Sequence, residues 1–140
     1  MIYNVSEHLS ANVKYSYLKG LDLENNLPLI FMPANNLFAV VKYQIPHLGK
    51  FENIEFEINN KYVFEQTNLT NEQDFAAPPA AYNLIGFKVA AQRQFKKNRL
   101  NIFVKADNLL NVEYRDYLNR QRYFADDLGV SAVFGFNVTF

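Results

Sequence analysis

The sequence predicts an all-β protein, an antiparallel up-and-down meander of about six long strands. Three observations carry that expectation. Apolar residues recur at every second position in six separate stretches, the signature of a strand with one apolar face. No stretch sustains a helical period. The segments that join the stretches alternate strictly between long and short.

In chain order, the first strand runs Leu9, Ala11, Val13, Tyr15 and Tyr17, with Ser10, Asn12, Lys14 and Ser16 between them. A long connection follows, from about Gly20 to Asn35, broken by Pro28 and Pro33. The second strand places Leu37, Ala39, Val41, Tyr43 and Ile45 on one face, less cleanly because Phe38 and Val40 occupy the other. The short segment Pro46-His47-Leu48-Gly49-Lys50 turns the chain. In the third strand Ile54, Phe56, Ile58, Tyr62 and Phe64 alternate with Asn53, Glu55, Glu57, Asn59 and Lys61. The second long connection, about Glu65 to Ala80, ends in Ala77-Pro78-Pro79. Ile85, Phe87, Val89, Ala91 and Phe95 define the fourth strand, and Lys96-Lys97-Asn98-Arg99 turns it. The fifth carries Leu100, Ile102, Val104 and Ala106. After a long connection from about Leu109 to Gly129, the sixth places Val130, Ala132, Phe134, Phe136, Val138 and Phe140 on one face.

Composition narrows the function classes. The 140 residues suit one domain. Fourteen Lys and Arg balance fourteen Asp and Glu, which argues against a nucleic-acid partner, normally met by a basic surplus. Thirteen Phe and nine Tyr with no Trp make 16% aromatic residues, too much buriable surface for a disordered chain. The absence of Cys removes disulfides, thiolate metal sites and a thiol nucleophile. No apolar run approaches the length of a spanning helix, and Met1 to His8 lacks the basic and apolar regions of a secretory signal.

The alternation of connection lengths points to a particular kind of sheet. In an up-and-down meander successive connections lie at opposite ends, so one end is trimmed and the other elaborated. Outer-membrane barrels are built this way, with short periplasmic turns and long external loops. Several strands reach the roughly 9 to 11 residues that cross a bilayer at a tilt. Tyr15, Tyr17, Tyr62, Phe64 and Tyr82 sit at strand ends beside the long connections, with Phe95 and Phe140 at the opposite ends. Such rings suit the two headgroup levels. The expected architecture is therefore a partial transmembrane β-barrel.

The sixth strand adds a terminal Phe140 to the alternating Phe134, Phe136 and Val138. It resembles the C-terminal assembly signal of bacterial outer-membrane proteins, whose apolar face and free edge can add to an open strand of the insertion machinery. A second stretch is more specific. Phe103-Val104-Lys105-Ala106-Asp107-Asn108-Leu109-Leu110-Asn111-Val112-Glu113-Tyr114 continues through Arg115-Asp116-Tyr117-Leu118, and Gly129 precedes the last strand. This resembles the closing section of TonB-dependent outer-membrane receptors, as do Pro33-Ala34-Asn35-Asn36 and Pro78-Pro79-Ala80-Ala81-Tyr82 at two strand starts. Val130 departs from the family, which often has Arg after the Gly. The resemblance spans essentially all of residues 1–140. It implies a C-terminal segment of a barrel of about 22 strands, without the plug domain and its energy-coupling box. Six strands are too few to close, since the smallest such barrels use about eight.

Little in the chain bears chemistry. His8 and His47 are expected at the short-turn end as solvated residues, and no phosphate-binding Gly loop or catalytic set is present. We expect no catalysis, cofactor or metal. The candidate ligand-contacting loop residues are Arg115, Arg120, Arg122, Asp126 and Asp127, because Arg captures carboxylate or phosphate in a bidentate fork. Lipopolysaccharide or substrate could meet them; ion pairing within the loop is the safer reading. Glu55, Glu57, Lys61, Lys88, Lys105 and Asp107 are expected to face a polar lumen, paired across strands.

The resemblance implies a receptor for uptake of a scarce nutrient such as a ferric siderophore, haem, cobalamin or a glycan. This chain would supply barrel wall, external loops and the assembly signal in the bacterial outer membrane. Its partners would be lipid and lipopolysaccharide, the assembly machinery, and TonB through the missing plug. The rival is a soluble small-ligand-binding β-barrel of lipocalin type, with its apolar face inward; alternation alone does not choose between them.

Overall fold

The computed structural model describes residues 2–69 and 74–140. Seven strands form one antiparallel sheet, and a two-stranded hairpin lies apart from it. The strands are β1 (Ile2–Asn4), β2 (Leu9–Ser16), the hairpin pair β3 (Leu21–Asp22) and β4 (Leu27–Pro28), β5 (Asn36–Leu48), β6 (Phe51–Val63), β7 (Tyr82–Phe95), β8 (Asn98–Asp107) and β9 (Ser131–Thr139). A single 3-10 turn, Arg120–Tyr123, interrupts the last long loop. The sheet order β1-β2-β5-β6-β7-β8-β9 follows the chain. β1 and β9 are its outer strands and do not pair with each other, so the sheet is open.

All six expected strands form, and most are longer than the alternation indicates. β5, β6 and β7 span 13, 13 and 14 residues. Pro46, His47 and Leu48 belong to β5 rather than to the turn, which shrinks to Gly49 and Lys50 with Gly49 at φ +63°. His47 is thus a strand residue in register with Glu52. Likewise β7 begins at Tyr82, and only Lys96 and Lys97 separate it from β8. Backbone pairing decides these ends, and polar residues pair as well as apolar ones.

Register carries the face pattern across the whole sheet. One row reads Ala11, Val41, Ile58, Phe87, Ala106 and Ala132 from strand to strand; the next reads Leu9, Tyr43, Phe56, Val89, Val104 and Phe134. Between them on the opposite face lies Ser10, Lys42, Glu57, Lys88, Lys105 and Val133. Because the side-chain period is two, a slip of one residue would invert the faces. The sheet therefore has one apolar and one polar side over six strands.

Two glycines serve the polar side. A Cβ at Gly86 would meet the Asn59 amide at 2.7 Å, and one at Gly135 would meet the Phe103 ring at 2.4 Å. The Phe103 ring thus lies flat across the β9 backbone, covering a strand glycine with an aromatic from its neighbour. At the short-turn end, β6 carries a bulge against β7 between Glu52 and Glu55, with Asn53 at φ 48°.

The burial is unusual. Among the described residues the well-buried ones are Ile54, Val63, Gln66, Tyr82, Gly86, Asn108, Tyr117 and Arg122. All but Ile54 and Gly86, which lie within strands, sit at the end of the long loops. The densest packing is therefore a loop platform, whereas the apolar sheet face stays open: Ile58 is 56%, Val104 49% and Phe134 67% exposed.

Candidate functional site

The platform starts at the exit of β8. Asn108 and Asn111, with φ of 52° and 50°, take the left-handed conformation that Asn tolerates better than most residues. The buried Asn108 amide accepts from the Val112 N–H at 2.9 Å and donates to the Val112 carbonyl at 2.9 Å and the Leu128 carbonyl at 3.4 Å. Leu109 N–H donates to the Ile85 carbonyl at 2.9 Å. Asn111 Oδ1 accepts from the Val130 N–H at 3.0 Å, and its carboxamide lies against Gly129 where a Cβ would collide. The Asn-Leu-Leu-Asn stretch thus ties the start of the loop to its end.

The loop then folds over the polar face of the sheet. Tyr114 stacks on Tyr82 with ring centroids 4.6 Å apart, and the Tyr82 hydroxyl donates to Asp116 at 2.9 Å. Beneath it, a groove is lined by Glu57, Asn59, Lys61, Lys105, Asp107 and Tyr114, among others. Burial and the nearby Asp127 and Asp116 charges raise the Tyr114 pKa, so its hydroxyl stays protonated well into the alkaline range.

Arg122 holds two loops together. It is 3% exposed and pairs with Asp74 of the preceding loop. Nη1 donates to the Ala77 carbonyl at 3.3 Å, and the guanidinium lies 4.9 Å and 4.4 Å from the Tyr117 and Tyr123 ring centroids. Tyr123 donates to the second Asp74 oxygen at 2.5 Å. Burial by itself would raise the Asp74 pKa; hydrogen bonds from Tyr123 and the Phe75 N–H, with the Arg122 charge, outweigh it and hold the carboxyl below its usual range. The first long loop joins the same assembly. Gln66, itself buried, donates to the Met32 carbonyl at 2.9 Å, and the Phe31 ring lies 6.4 Å from that of Tyr117.

The candidate loop residues therefore divide. Arg115 pairs with Asp126 at 2.5 Å and donates to the Arg122 carbonyl at 3.0 Å. Asp127 accepts from the Asp116 N–H at 2.7 Å and the Asn119 amide at 2.8 Å. With Arg122 on Asp74, four of the five are engaged within the platform, and only Arg120 stands exposed with no ion pair among the described residues. The ion pairing expected within the loop is present for Arg115 with Asp126, while Arg122 reaches Asp74 of the preceding loop instead. Sequence reasoning missed the role of Asp74, 48 residues from Arg122, and of Asn108, Gln66 and Tyr82. The platform leaves Phe75, Phe124 and Leu128 exposed, at 96%, 85% and 80%.

On the polar face, Lys42 bridges Glu55 at 3.2 Å and Glu57 at 3.0 Å, and Lys88 approaches Glu55 at 3.8 Å. Lys105 pairs with Asp107 at 2.8 Å. Of the cross-strand pairs expected on that face, only Lys88 with Glu55 forms among the described residues. Lys42, outside the expected set, takes the two Glu residues, Lys105 and Asp107 pair within β8, and Lys61 has no ion pair among the described residues. On the apolar face Phe134, Phe136 and Val138 point away from the ion pairs, opposite Val104, Ile102 and Leu100 in register, and Phe140 follows the end of β9 at 93% exposure. His8 sits in the turn before β2 with its ring 6.5 Å from that of Tyr43. Among the described residues no three His, Asp or Glu side chains gather as a metal site would require.

Comparison with protein-family descriptions, with curated proteins and with solved structures finds no match in any of the three.

Proposed function

We propose that this chain is wall of an outer-membrane β-barrel, corresponding to the C-terminal barrel segment of a TonB-dependent receptor, and that it serves uptake of a scarce nutrient. The nutrient class is that of a ferric siderophore, haem, cobalamin or glycan. The observation that carries this is the inversion of exposure across the sheet. Side chains of Glu55 and Glu57 are only 20% and 16% exposed, while Ile58, Val104, Phe134 and Phe136 are 49–68% exposed. In water that arrangement leaves a large apolar face unsatisfied. In a bilayer it is the expected one, apolar outward and polar toward the lumen. Open outer edges would be costly in lipid, so further strands would complete the wall. Phe134, Phe136, Val138 and Phe140 would act as the assembly signal, and the loop platform would face the cell exterior, toward lipopolysaccharide and ligand. Energy coupling through TonB would belong to a plug domain, and no catalytic step is assigned.

The soluble lipocalin-type reading has the apolar face inward around a ligand. The loop that covers the sheet lies over the polar face instead, through Tyr114 on Tyr82, which favours the membrane reading. Fractionation of cells producing the chain tests it. The chain should stay with outer membranes through an alkaline carbonate wash. Recovery as a monodisperse species without detergent would refute the proposal.

A further inference from the structure

The zero net charge conceals a polarity between the two ends of the sheet. At the long-loop end, the loops and the strand residues within two of a strand end carry nine carboxylates against seven cations among the described residues, Lys14, Lys19, Lys61, Lys105, Arg115, Arg120 and Arg122. The short-turn end carries Lys50, Arg93, Lys96, Lys97 and Arg99 against only Glu7 and Glu52. None of these five cations is ion-paired among the described residues, while Arg115 and Arg122 at the other end both are.

Two of the five are placed in a telling way. Along β7 the apolar face runs Phe87, Val89, Ala91 and then Arg93 and Phe95. The Arg93 guanidinium lies 4.3 Å from the Phe95 ring centroid and 6.0 Å from that of Phe51. Phe51 follows the two-residue turn, beyond the β6 bulge at Asn53. The rings hold the cation at the border of the apolar face, and its N–H groups have no acceptor among the described residues. That is the disposition of a long cationic side chain whose stem lies in hydrocarbon and whose head reaches the phosphate level. Lys96 adds a second sign. It takes φ 51° in its turn, where Gly, used at the equivalent place in the Gly49-Lys50 turn, or Asn would be less strained.

We propose that the short-turn rim, formed by Lys50, Arg93, Lys96, Lys97 and Arg99 with Phe51 and Phe95, docks on the headgroups of anionic phospholipids. The proposal rests on the membrane-wall reading above and adds which end meets which lipid chemistry. Each cation within a Debye length of an anionic surface strengthens binding about fivefold. The acidic loop end would be repelled by the same surface, so charge alone would orient the sheet.

The full chain, diluted from detergent into vesicles of phosphatidylcholine with or without phosphatidylglycerol, should float with both at low salt. It should bind the anionic vesicles at least ~10-fold more tightly. Lys96→Gln with Lys97→Gln should reduce that preference by about 25-fold at most, fivefold per charge, and leave binding to neutral vesicles unchanged. Lys96→Gly with Lys97→Asn, which suits the turn better, should do the same and guards against misfolding. Equal binding to both vesicles, or a preference that survives both double variants, would overturn the rim proposal alone. Tighter binding to heparin than to any vesicle would assign the rim to a soluble polyanion and also overturn it. Failure to float with either vesicle would overturn the wall reading itself.

Discussion

Replacing Arg122 with Ala should release the loop platform while leaving the sheet intact. The side chain is 3% exposed, and its partner Asp74 has a carboxylate 4% exposed. Removing the cation strands that carboxylate among Tyr117, Tyr123 and the Ala77 carbonyl. Breaking a buried ion pair on one side costs about 3–5 kcal/mol, which is roughly a hundredfold to a thousandfold or more in the opening equilibrium. The two aromatic contacts and the Ala77 hydrogen bond belong to the same loss and are not added to it. Hydrogen exchange of the chain in detergent micelles reads this locally. Amides in the stretch 112–127 should lose at least ~100-fold of their protection, while those of β6 to β8 should change little. Changing both partners, Asp74→Leu with Arg122→Met, should restore most of the protection, because an apolar pair leaves no buried charge. Acid should act in the same direction. Asp74 has a lowered pKa, so its contribution is fully present above the ordinary Asp value of about 4 and is lost as pH falls toward the lowered one. Unchanged exchange in the Arg122→Ala variant would refute the reasoning.

Two further perturbations test other joints. Asn108→Ala removes a buried amide with three backbone contacts and puts a non-Gly, non-Asn residue at φ 52°. It should cost about 2–4 kcal/mol locally and expose the loop to proteolysis near Leu109, whereas Asn108→Gly should recover only the backbone part. Gly135→Ala drives a methyl into the Phe103 ring. It should weaken the β8–β9 pairing by about 1–3 kcal/mol in a denaturant titration from micelles, and Phe103→Leu in the same chain should recover part of that; additive losses would show that the ring and the glycine do not interact.

Much of the fold was legible because a half-exposed strand must alternate. The six stretches from Leu9 to Phe140 all formed strands, and the register joined their apolar positions into continuous rows. What alternation could not reveal was pairing by polar residues. Pro46, His47 and Leu48 look like a turn, yet all three lie in β5, and His47 and Leu48 pair to Glu52 and Phe51 across the β5–β6 hairpin. The Asn53 bulge looked like ordinary alternation, although an Asn between a Glu and an Ile is a plausible left-handed site. The β3–β4 hairpin had a signal in Asn25-Asn26 between Leu21-Asp22 and Leu27-Pro28, with Asn26 at φ 53°. The loop residues were harder. An Arg in a loop carries no mark of burial, and the partner that buries Arg122, Asp74, stands 48 residues away. The two Tyr around it, Tyr117 and Tyr123, were the available hint.

The central claim is that lipid meets the apolar face and water the polar one. The absence of native Cys allows single Cys residues to be placed at Ile58, Val104 and Phe134 on one face and at Glu57, Lys105 and Val133 on the other. Each labelled chain is then inserted into vesicles that carry a lipid-chain fluorescence quencher. The account predicts quenching at the first three and little at their neighbours, switching with every residue along a strand. Quenching confined to the second set, or absent from both, would contradict it.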